Sequence, residues 1–384
     1  MIDAVNHALD GFVRPEVAIL GAPRSAFQVC GFAGWIATAL VALALALIDP
    51  ALEPWIAGLL VLTGSAAFLV VAVITKAITG TARLVFYHHA IAIGAAAAGV
   101  IVALDVRPLP YLDLSAVAVA TFLMFGRIGC LMAGCCHGKP AHVGVRYRDE
   151  HVTAGFAHVL VGVRLFPSQA VEAVLAFGLA AAGATEIATG AEPGTACTLI
   201  VLCYAGGRFL IELTRGDQFR PFLAGFSEAQ WISLAATAAV IAGDLTGWLP
   251  HARWHVAFAA AHGFAACFVL AWRFLGHAPR HRLMHPGHIY DVALALDTLA
   301  APGNRAAVVV ATTSLGVRLS CSHHAAPTGA PSTTIEHVAI SHRDGPMPEE
   351  SARIITDLVR LLRPPAARHE IIARDGIFHM LLHR

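Results

Sequence analysis

Charge is what this chain has least of. Only 13% of its 384 residues are Asp, Glu, Lys or Arg, whereas 57% are hydrophobic and the mean hydropathy is +0.67. Soluble domains carry about 25% charged residues, so the deficit implies a polytopic membrane protein. The net charge is only +1, and no basic patch is interleaved with aromatics, which argues against a nucleic-acid partner. Separated Cys-x-x-Cys pairs are missing as well. The eight cysteines stand at positions 30, 130, 135, 136, 197, 203, 267 and 321. Those at 30, 197, 203 and 267 lie in apolar runs, where a free thiol behaves as a small hydrophobe, so no disulfide scaffold is expected. No internal repeat is visible, which argues against the paired-repeat plan of many transporters.

Long apolar runs are abundant. Stretches of the roughly 20 residues needed to cross a bilayer recur near 29–48, 55–75, 84–104, 111–134, 167–186, 195–213, 229–249 and 255–275. The implied fold class is an all-α polytopic membrane bundle of seven to eight transmembrane helices, followed by a small C-terminal soluble α+β domain. The expected divisions are a juxtamembrane segment over 1–28, a membrane domain over 29–275 and the soluble domain over 277–384. Residues 1–28 are long and acidic for a signal peptide, so the first run is expected to be a retained anchor. The tail carries eleven of the 21 histidines. It reads as a helix over 287–300, strands over 305–312 and 334–342, an amphipathic helix over 348–363 stopped by Pro364-Pro365, and a strand pair over 369–374 and 377–383. About 100 residues suffice for such a domain to have its own core.

Charged and polar residues inside the apolar runs are costly, about 2.5–3.5 kcal/mol each for a central arginine, and so point to function. The sixth run places Tyr204, Arg208, Glu212 and Arg215 at i, i+4, i+8 and i+11, one helical face. Arg208 and Glu212 can pair; the stripe is either a structural ion pair or the lining of a polar cavity for an anionic head group, which the planar arginine fork suits. Arg127, in the fourth run, has no acidic residue within a helical turn. Its counter-ion must be Glu172, Glu212 or a bound phosphate. Gln169 and Glu172, three apart at the start of the fifth run, share a face that would look into the bundle. Tyr87, His88 and His89 open the third run; His89 is the candidate general base near neutral pH, and His88 reads as a helix–helix hydrogen-bond partner.

Arg127 belongs to the densest segment of the chain, Gly126-Arg127-Ile128-Gly129-Cys130-Leu131-Met132-Ala133-Gly134-Cys135-Cys136-His137-Gly138-Lys139. Cys130, Cys135, Cys136, His137 and His142 raise the question of a metal, but their spacing matches no zinc pattern and adjacent cysteines seldom both ligate one ion. No metal and no cofactor are expected from the sequence. Cys130 is read instead as tuning a polar cavity. The tail clusters His281, His285, His288 and His323-His324 read as scattered solvent-facing histidines.

Five motifs together resemble the prolipoprotein diacylglyceryl transferase family. The signature Gly-Arg-Ile-Gly-Asn, three residues, Gly-Glu, two residues, Gly-Arg is similar to Gly126-Arg127-Ile128-Gly129-Cys130, then Gly134-Cys135 and Gly138-Lys139. His-Gly-Gly-Leu-Ile-Gly is similar to His89 through Gly94. His-Pro-Ser/Thr-Gln-Leu-Tyr-Glu is similar to Phe166-Pro167-Ser168-Gln169-Ala170-Val171-Glu172. Tyr-Gly-x-x-Arg-Phe-x-x-Glu-x-x-Arg matches Tyr204, Arg208, Phe209, Glu212 and Arg215. A late Leu-Ser-x-x-Gln-x-x-Ser-Leu is similar to Phe226 through Leu234. Order and spacing agree over about residues 30–250.

The resemblance implies a multi-pass enzyme of the plasma (inner) membrane. Such an enzyme moves the diacylglyceryl group of phosphatidylglycerol, or another anionic phospholipid, onto the cysteine thiol of a lipoprotein precursor and releases glycerol phosphate. Its catalytic residues would be His89, Arg127 and Arg208, with Tyr204, Glu212, Glu172, Gln169, Cys130, Cys135, Gly138 and Arg215 binding substrate. This chain departs from the motifs at Cys130 for asparagine, Cys135 for glutamate and Lys139 for arginine. Its eighth run and tail exceed the family's seven-span plan. Two alternatives remain: a lipid-group transferase with another small-molecule or peptide acceptor, and a non-enzymatic lipid-binding or transport protein. The two topology signals disagree. Positive-inside counting over Lys76, Arg83, Lys139, Arg146, Arg148, Arg164, Arg215 and Arg220 faces the 135–166 loop to the cytoplasm, whereas the resemblance faces it outward.

Overall fold

The structure is a computed structural model, and it describes residues 1–80, 86–218, 220–276, 278–300, 309–325, 334–363 and 368–383. A short amphipathic helix α1 (Ile2–Phe12) and a hairpin of β1 (Glu16–Ile19) and β2 (Ala22–Ser25) precede the apolar helices. These are α2 (Ala26–Ile48), α3 (Pro54–Thr79), α4 (Phe86–Ala103), α5 (Pro108–Ala133), α6 (Ser168–Ala188), α7 (Thr195–Ile211), α8 (Glu228–Leu245) and α9 (Arg253–Ala271). Each of the eight expected runs therefore contains a helix. Among the described residues, six helical stretches, α2, α3, α5, α6, Thr195–Thr214 and Arg253–Leu275, are long and apolar enough to cross a membrane. The other two are shorter or less apolar: the apolar part of α4 covers only His88–Ala103, and α8 carries Glu228 and Asp244 near its ends. The chain is a polytopic α-helical membrane protein.

Local chemistry sets the helix ends. Pro54 and Pro108 open α3 and α5 at the first helical turn, where a missing N–H costs nothing. Gly134 ends α5 in the left-handed region at φ 84°, with its amide bonded to the Cys130 carbonyl, a conformation glycine adopts without a Cβ penalty. α8 begins with a reciprocal cap: Ser227 Oγ accepts from the Gln230 amide, and the Ser227 amide donates to Gln230 Oε1. The Ser-x-x-Gln part of the late motif is thus a capping box. α7 is capped from another helix. Asp113 of α5 accepts from the amides of Gly194 and Cys197, both at 2.6 Å, satisfying donors that would otherwise be orphaned in the bundle. α5 and α7 are the innermost of the membrane-length helices, and they carry Arg127 and Arg208. Large apolar side chains such as Leu62, Val73, Val174 and Phe264 face outward, as a lipid-facing surface requires.

Between α5 and α6 lies a hairpin of β3 (Pro140–Arg146) and β4 (Arg164–Leu165), and between α7 and α8 a small one of β5 (Phe222–Leu223) and β6 (Phe226–Ser227). α1 clamps the first hairpin: Asn6 bonds the backbone of His142 and Gly144, and Asp10 pairs with Arg164 at 2.9 Å. The tail contains α10 (Ala278–Leu283), α11 (Pro286–Ala300), β7 (Val310–Thr312), β8 (Val317–Ala325), β9 (Thr334–His342), α12 (Glu349–Leu362), β10 (Arg368–Arg374) and β11 (Ile377–His383). Its described strands form an antiparallel sheet in the order β10-β11-β9-β8-β7. The expected 305–312 strand begins at Val310, its first residues lying outside the described ones, and β8 was not anticipated. Inward positions Val317, Leu319, Val338, Ile340, Met380 and Leu382 alternate along the strands and pack under Ile355, Leu358 and Val359 of α12. The tail does not keep this core to itself. Val145, Tyr147, Phe156, Leu160 and Leu165 of the β3–β4 region belong to the same cluster as Val292, Leu296 and Leu358.

Asp113→Ala is expected to lower stability by about 1–3 kcal/mol by leaving buried amides unpaired, read as a drop in thermal midpoint in detergent. A midpoint equal to that of the unmutated chain would mean that α7 finds its cap elsewhere.

Candidate active site

The deepest polar layer is built around one carboxylate. Glu172, 1% exposed on the first turns of α6, sits against Arg127 Nε at 3.0 Å and Arg208 Nε at 3.5 Å. It also accepts a 2.7 Å hydrogen bond from the Tyr204 hydroxyl. Arg127 thus takes its counter-ion from α6, one of the partners its sequence neighbourhood left open. Arg208 Nη1 further contacts Glu212 Oε2 at 2.6 Å, and the other Glu212 oxygen is held by Arg220. The helical stripe is shorter than its spacing suggested. α7 ends at Ile211, Glu212–Thr214 form a 3₁₀ turn, and Arg215 leaves the helix to grip Asp217 with two bonds of 2.7 and 3.1 Å. Arg220 and Asp217 were missed as site residues because they lie in a connection, where charges are ordinary.

Four guanidinium groups (Arg127, Arg208, Arg215 and Arg220) therefore face three carboxylates (Glu172, Glu212 and Asp217) in this layer. The surplus is positive, in surroundings where an unbalanced charge is expensive. Burial followed by the neighbouring Arg208 pulls the Arg220 guanidinium down to about 10, and burial pulls the Lys139 ammonium down to about 8. Arg215 and Arg220, counted as loop charges in the positive-inside comparison, are held in ion pairs with Asp217 and Glu212, and so drop out of that count.

The signature turn is stitched between the entrance of α6 and the exit of α7. Gly138 N donates to the Phe166 carbonyl, Lys139 N to the Thr214 carbonyl and Gly216 N to the His137 carbonyl, at 2.9–3.0 Å. A Cβ on Gly138 would lie 2.4 Å from the Phe166 oxygen, so this close approach demands glycine. Its amide is already used, which makes Gly138 a backbone junction paired with Arg215. Gln169 Nε2 donates to the Cys135 carbonyl at 2.7 Å and to the Tyr147 hydroxyl at 3.3 Å. Gln169 thus ties the turn to the β3–β4 core.

In front of this layer a cavity of about 680 Å³ runs between α2, α3, α4 and α5. Its walls are apolar (Phe27, Trp35, Leu60 and Phe122 among them), and its polar end presents Gln28, His89, Arg127, Cys130 and Cys136. His89 is buried, with its ring 4.6 Å from that of Phe68. His88 points elsewhere, to an exposed contact with Glu228 at 3.7 Å. The side chain of Tyr87 lies outside the described residues. The structure thus divides the expected residues. His89, Arg127 and Cys130 reach the cavity, whereas Arg208, Tyr204, Glu172, Gln169, Glu212 and Arg215 form or brace the layer behind it. Cys135 is exposed beside that layer. Gln28 was not anticipated, since a lone glutamine at a helix start carries no signal.

Three thiols meet at the end of α5. The sulfurs of Cys130, Cys135 and Cys136 lie within 4.8 Å of one another. Hydrogen bonds from Cys130 and Cys135, then the charges of Arg215 and Arg127, hold the Cys136 thiol well below the usual range. His137 turns Nδ1 to the Gly138 carbonyl at 2.9 Å, and His142 is on β3, with its carbonyl bonded to Asn6.

Fold and polar layer define a class: an integral membrane protein whose helices enclose an arginine-rich centre beside an apolar cavity. Residues 84–246 match the family model described as prolipoprotein diacylglyceryl transferase. The chain is 34% identical over 128 residues to a phosphatidylglycerol–prolipoprotein diacylglyceryl transferase of Clostridium tetani (strain Massachusetts / E88), covering 33% of this chain and 49% of the relative. It is 30% identical over 124 residues to the protein named phosphatidylglycerol–prolipoprotein diacylglyceryl transferase 2 of Clostridium perfringens (strain 13 / Type A), covering 32% and 46%. The chain spans about half the length of these curated relatives.

Glu172→Ala should cost about 3–5 kcal/mol, since it strands two buried guanidinium groups, whereas Tyr204→Phe should cost about 1.5–3 kcal/mol. Thermal unfolding in detergent measures both. Equal, small losses would mean that Glu172 does not hold the layer together.

Proposed function

We propose that residues 29–275 act as a transferase domain in the plasma (inner) membrane. The donor is phosphatidylglycerol or another anionic phospholipid. The acceptor is a thiol, the cysteine of a lipoprotein precursor, and glycerol phosphate leaves. The observation that carries this reading is the apolar cavity ending on Arg127, in front of a layer with surplus positive charge. Acyl chains fit its apolar walls, and a lipid phosphate can pair with Arg127 on the cavity wall. The names of the two clostridial relatives agree with the donor and the acceptor.

The chemistry needs a deprotonated sulfur and a stabilised leaving phosphate. His89, which lines the cavity, takes the thiol proton in this reading, and a general base of this kind contributes about 10²–10⁴ in rate. The sulfur attacks the glyceryl carbon, the carbon–oxygen bond to phosphate breaks, and the electron pair departs on the phosphate oxygen. Arg127 meets that growing charge in a site already oriented for it. Arg208, Glu172, Tyr204, Glu212 and Arg215 are positioning residues that keep Arg127 and the signature turn in place.

A second reading keeps the donor and changes the acceptor. It is favoured by the tail, which shares a core with the β3–β4 region beside the signature turn and so puts a second body next to the chemistry. Residues 277–384 would then present a different thiol, amine or hydroxyl.

The full chain in detergent, given head-group-labelled phosphatidylglycerol and a lipoprotein-type cysteine peptide, should release labelled glycerol phosphate. Arg127→Ala should lower that rate by about 10²–10³-fold and His89→Ala by about 10²–10⁴-fold. Release with a small thiol but not the peptide selects the second reading. No release with any acceptor, together with unchanged lipid binding in Arg127→Ala, would sink both.

A further inference from the structure

The geometry points to a thiophilic divalent cation, of the zinc class, held by Cys130, Cys135 and Cys136, with its fourth position open to the cavity and able to take the acceptor's thiolate. Sequence spacing disfavoured this because neighbouring cysteines usually point apart. The fold removes that objection. α5 stops at Gly134 in the left-handed region, and Cys136 is itself left-handed at φ 57°. Two such residues in close succession turn the chain back over the helix end and bring all three sulfurs within 4.8 Å of one another. A tetrahedral zinc with bonds of about 2.3 Å places its sulfurs about 3.8 Å apart, so closure needs shifts of about 1 Å or less, within the reach of small χ1 adjustments. A left-handed cysteine is uncommon and mildly strained, and such positions persist where the surroundings demand them.

Charge and access agree with the geometry. Three thiolates and a divalent cation sum to one negative charge, and the cationic neighbours of Cys136 are Arg215 and Arg127. Three protein ligands with an open fourth position is the pattern of a catalytic rather than a structural zinc. Cys130 and Cys136 both line the cavity, which gives the open position a direction.

The metal site stands on these observations alone; the role of its fourth position rests on the transfer reading. An acceptor thiol that coordinates there gives up its proton to His89 or to water, as ligation of a thiol requires. Its metal-bound sulfur forms the bond to the glyceryl carbon while the carbon–oxygen bond to phosphate breaks. The electron pair leaves with glycerol phosphate, and the metal keeps its oxidation state.

The test is cobalt binding to the reduced, full-length protein in detergent. Stoichiometric Co²⁺ should give thiolate-to-metal charge-transfer absorption that Zn²⁺ displaces. Cys267→Ser, on the outer surface of α9, should leave it intact. Cys130→Ser and Cys136→Ser should each weaken binding by more than about a hundredfold, beyond the loss typical of outer-shell changes. Should those variants not fold, alkylation of the unmutated chain followed by mass spectrometry decides: Zn²⁺ should protect Cys130, Cys135 and Cys136 together and leave Cys267 reactive. A missing charge-transfer band, a band that survives the serine variants, or protection that spares the three thiols would overturn the site. Addition of a cysteine peptide, but not its serine analogue, should intensify the band; no change would overturn the open fourth position alone. None of these readouts needs turnover, so the metal site and the transferase reading fail separately.

Discussion

Glu172 holds arginines from two different helices on its two oxygens, in a place where neither has water to fall back on. Burying one guanidinium in an apolar bundle is costly, and burying two beside each other is worse unless a carboxylate stands between them. That requirement couples three elements. α6 must deliver Glu172 on its first turns, α5 must bring Arg127 near its end, and α7 must present Arg208. Tyr204 donates to the Glu172 oxygen that faces Arg208. Once these are in place, Glu212 and Asp217 follow as counter-charges for Arg208, Arg215 and Arg220, and the loop after α7 loses its freedom. The guanidinium groups of this layer outnumber its carboxylates by one.

The same layer explains why the signature turn is so closely constrained. Residues 137–139 exchange backbone hydrogen bonds with both the α6 entrance and the α7 exit. Any displacement of the turn therefore moves Glu172 and Arg215 with it. Gly138 is part of this because no side chain fits against the Phe166 carbonyl. Gln169 extends the network outward to Tyr147, whose ring belongs to the core shared with the tail. Contacts thus run without a break from the buried arginines to the sheet of residues 310–383.

Much of this was legible in the sequence, for physical reasons. Eight apolar runs announce eight helices, because a membrane-length helix needs unbroken hydrophobicity. Arg127, Arg208, Glu212 and Glu172 stand out because charge in such runs is expensive. What stayed hidden depends on contacts between distant segments. Asp113 looks like an ordinary helix residue until α7 arrives to be capped. Arg220 and Asp217 look like loop charges until the 3₁₀ turn at Glu212 folds them inward. Arg215 was placed on a helical stripe that ends before reaching it. The late Ser-x-x-Gln motif is the converse case: its residues are explained by a cap and by Gln230 bonding the Phe209 carbonyl.

The tail shows how far composition can mislead about independence. Its strands and helices were anticipated in type and mostly in place, yet its core is not self-contained. An amphipathic helix such as α12 must cover its apolar face with something, and periodicity alone does not say with what. Here part of the cover is Val145, Tyr147 and Leu165 from the membrane domain's own hairpin. A shared core of this kind ties the folding of the tail to the hairpin and, through Gln169, to the signature turn. The tail and the signature turn are therefore joined by packing and hydrogen bonds rather than by a linker alone.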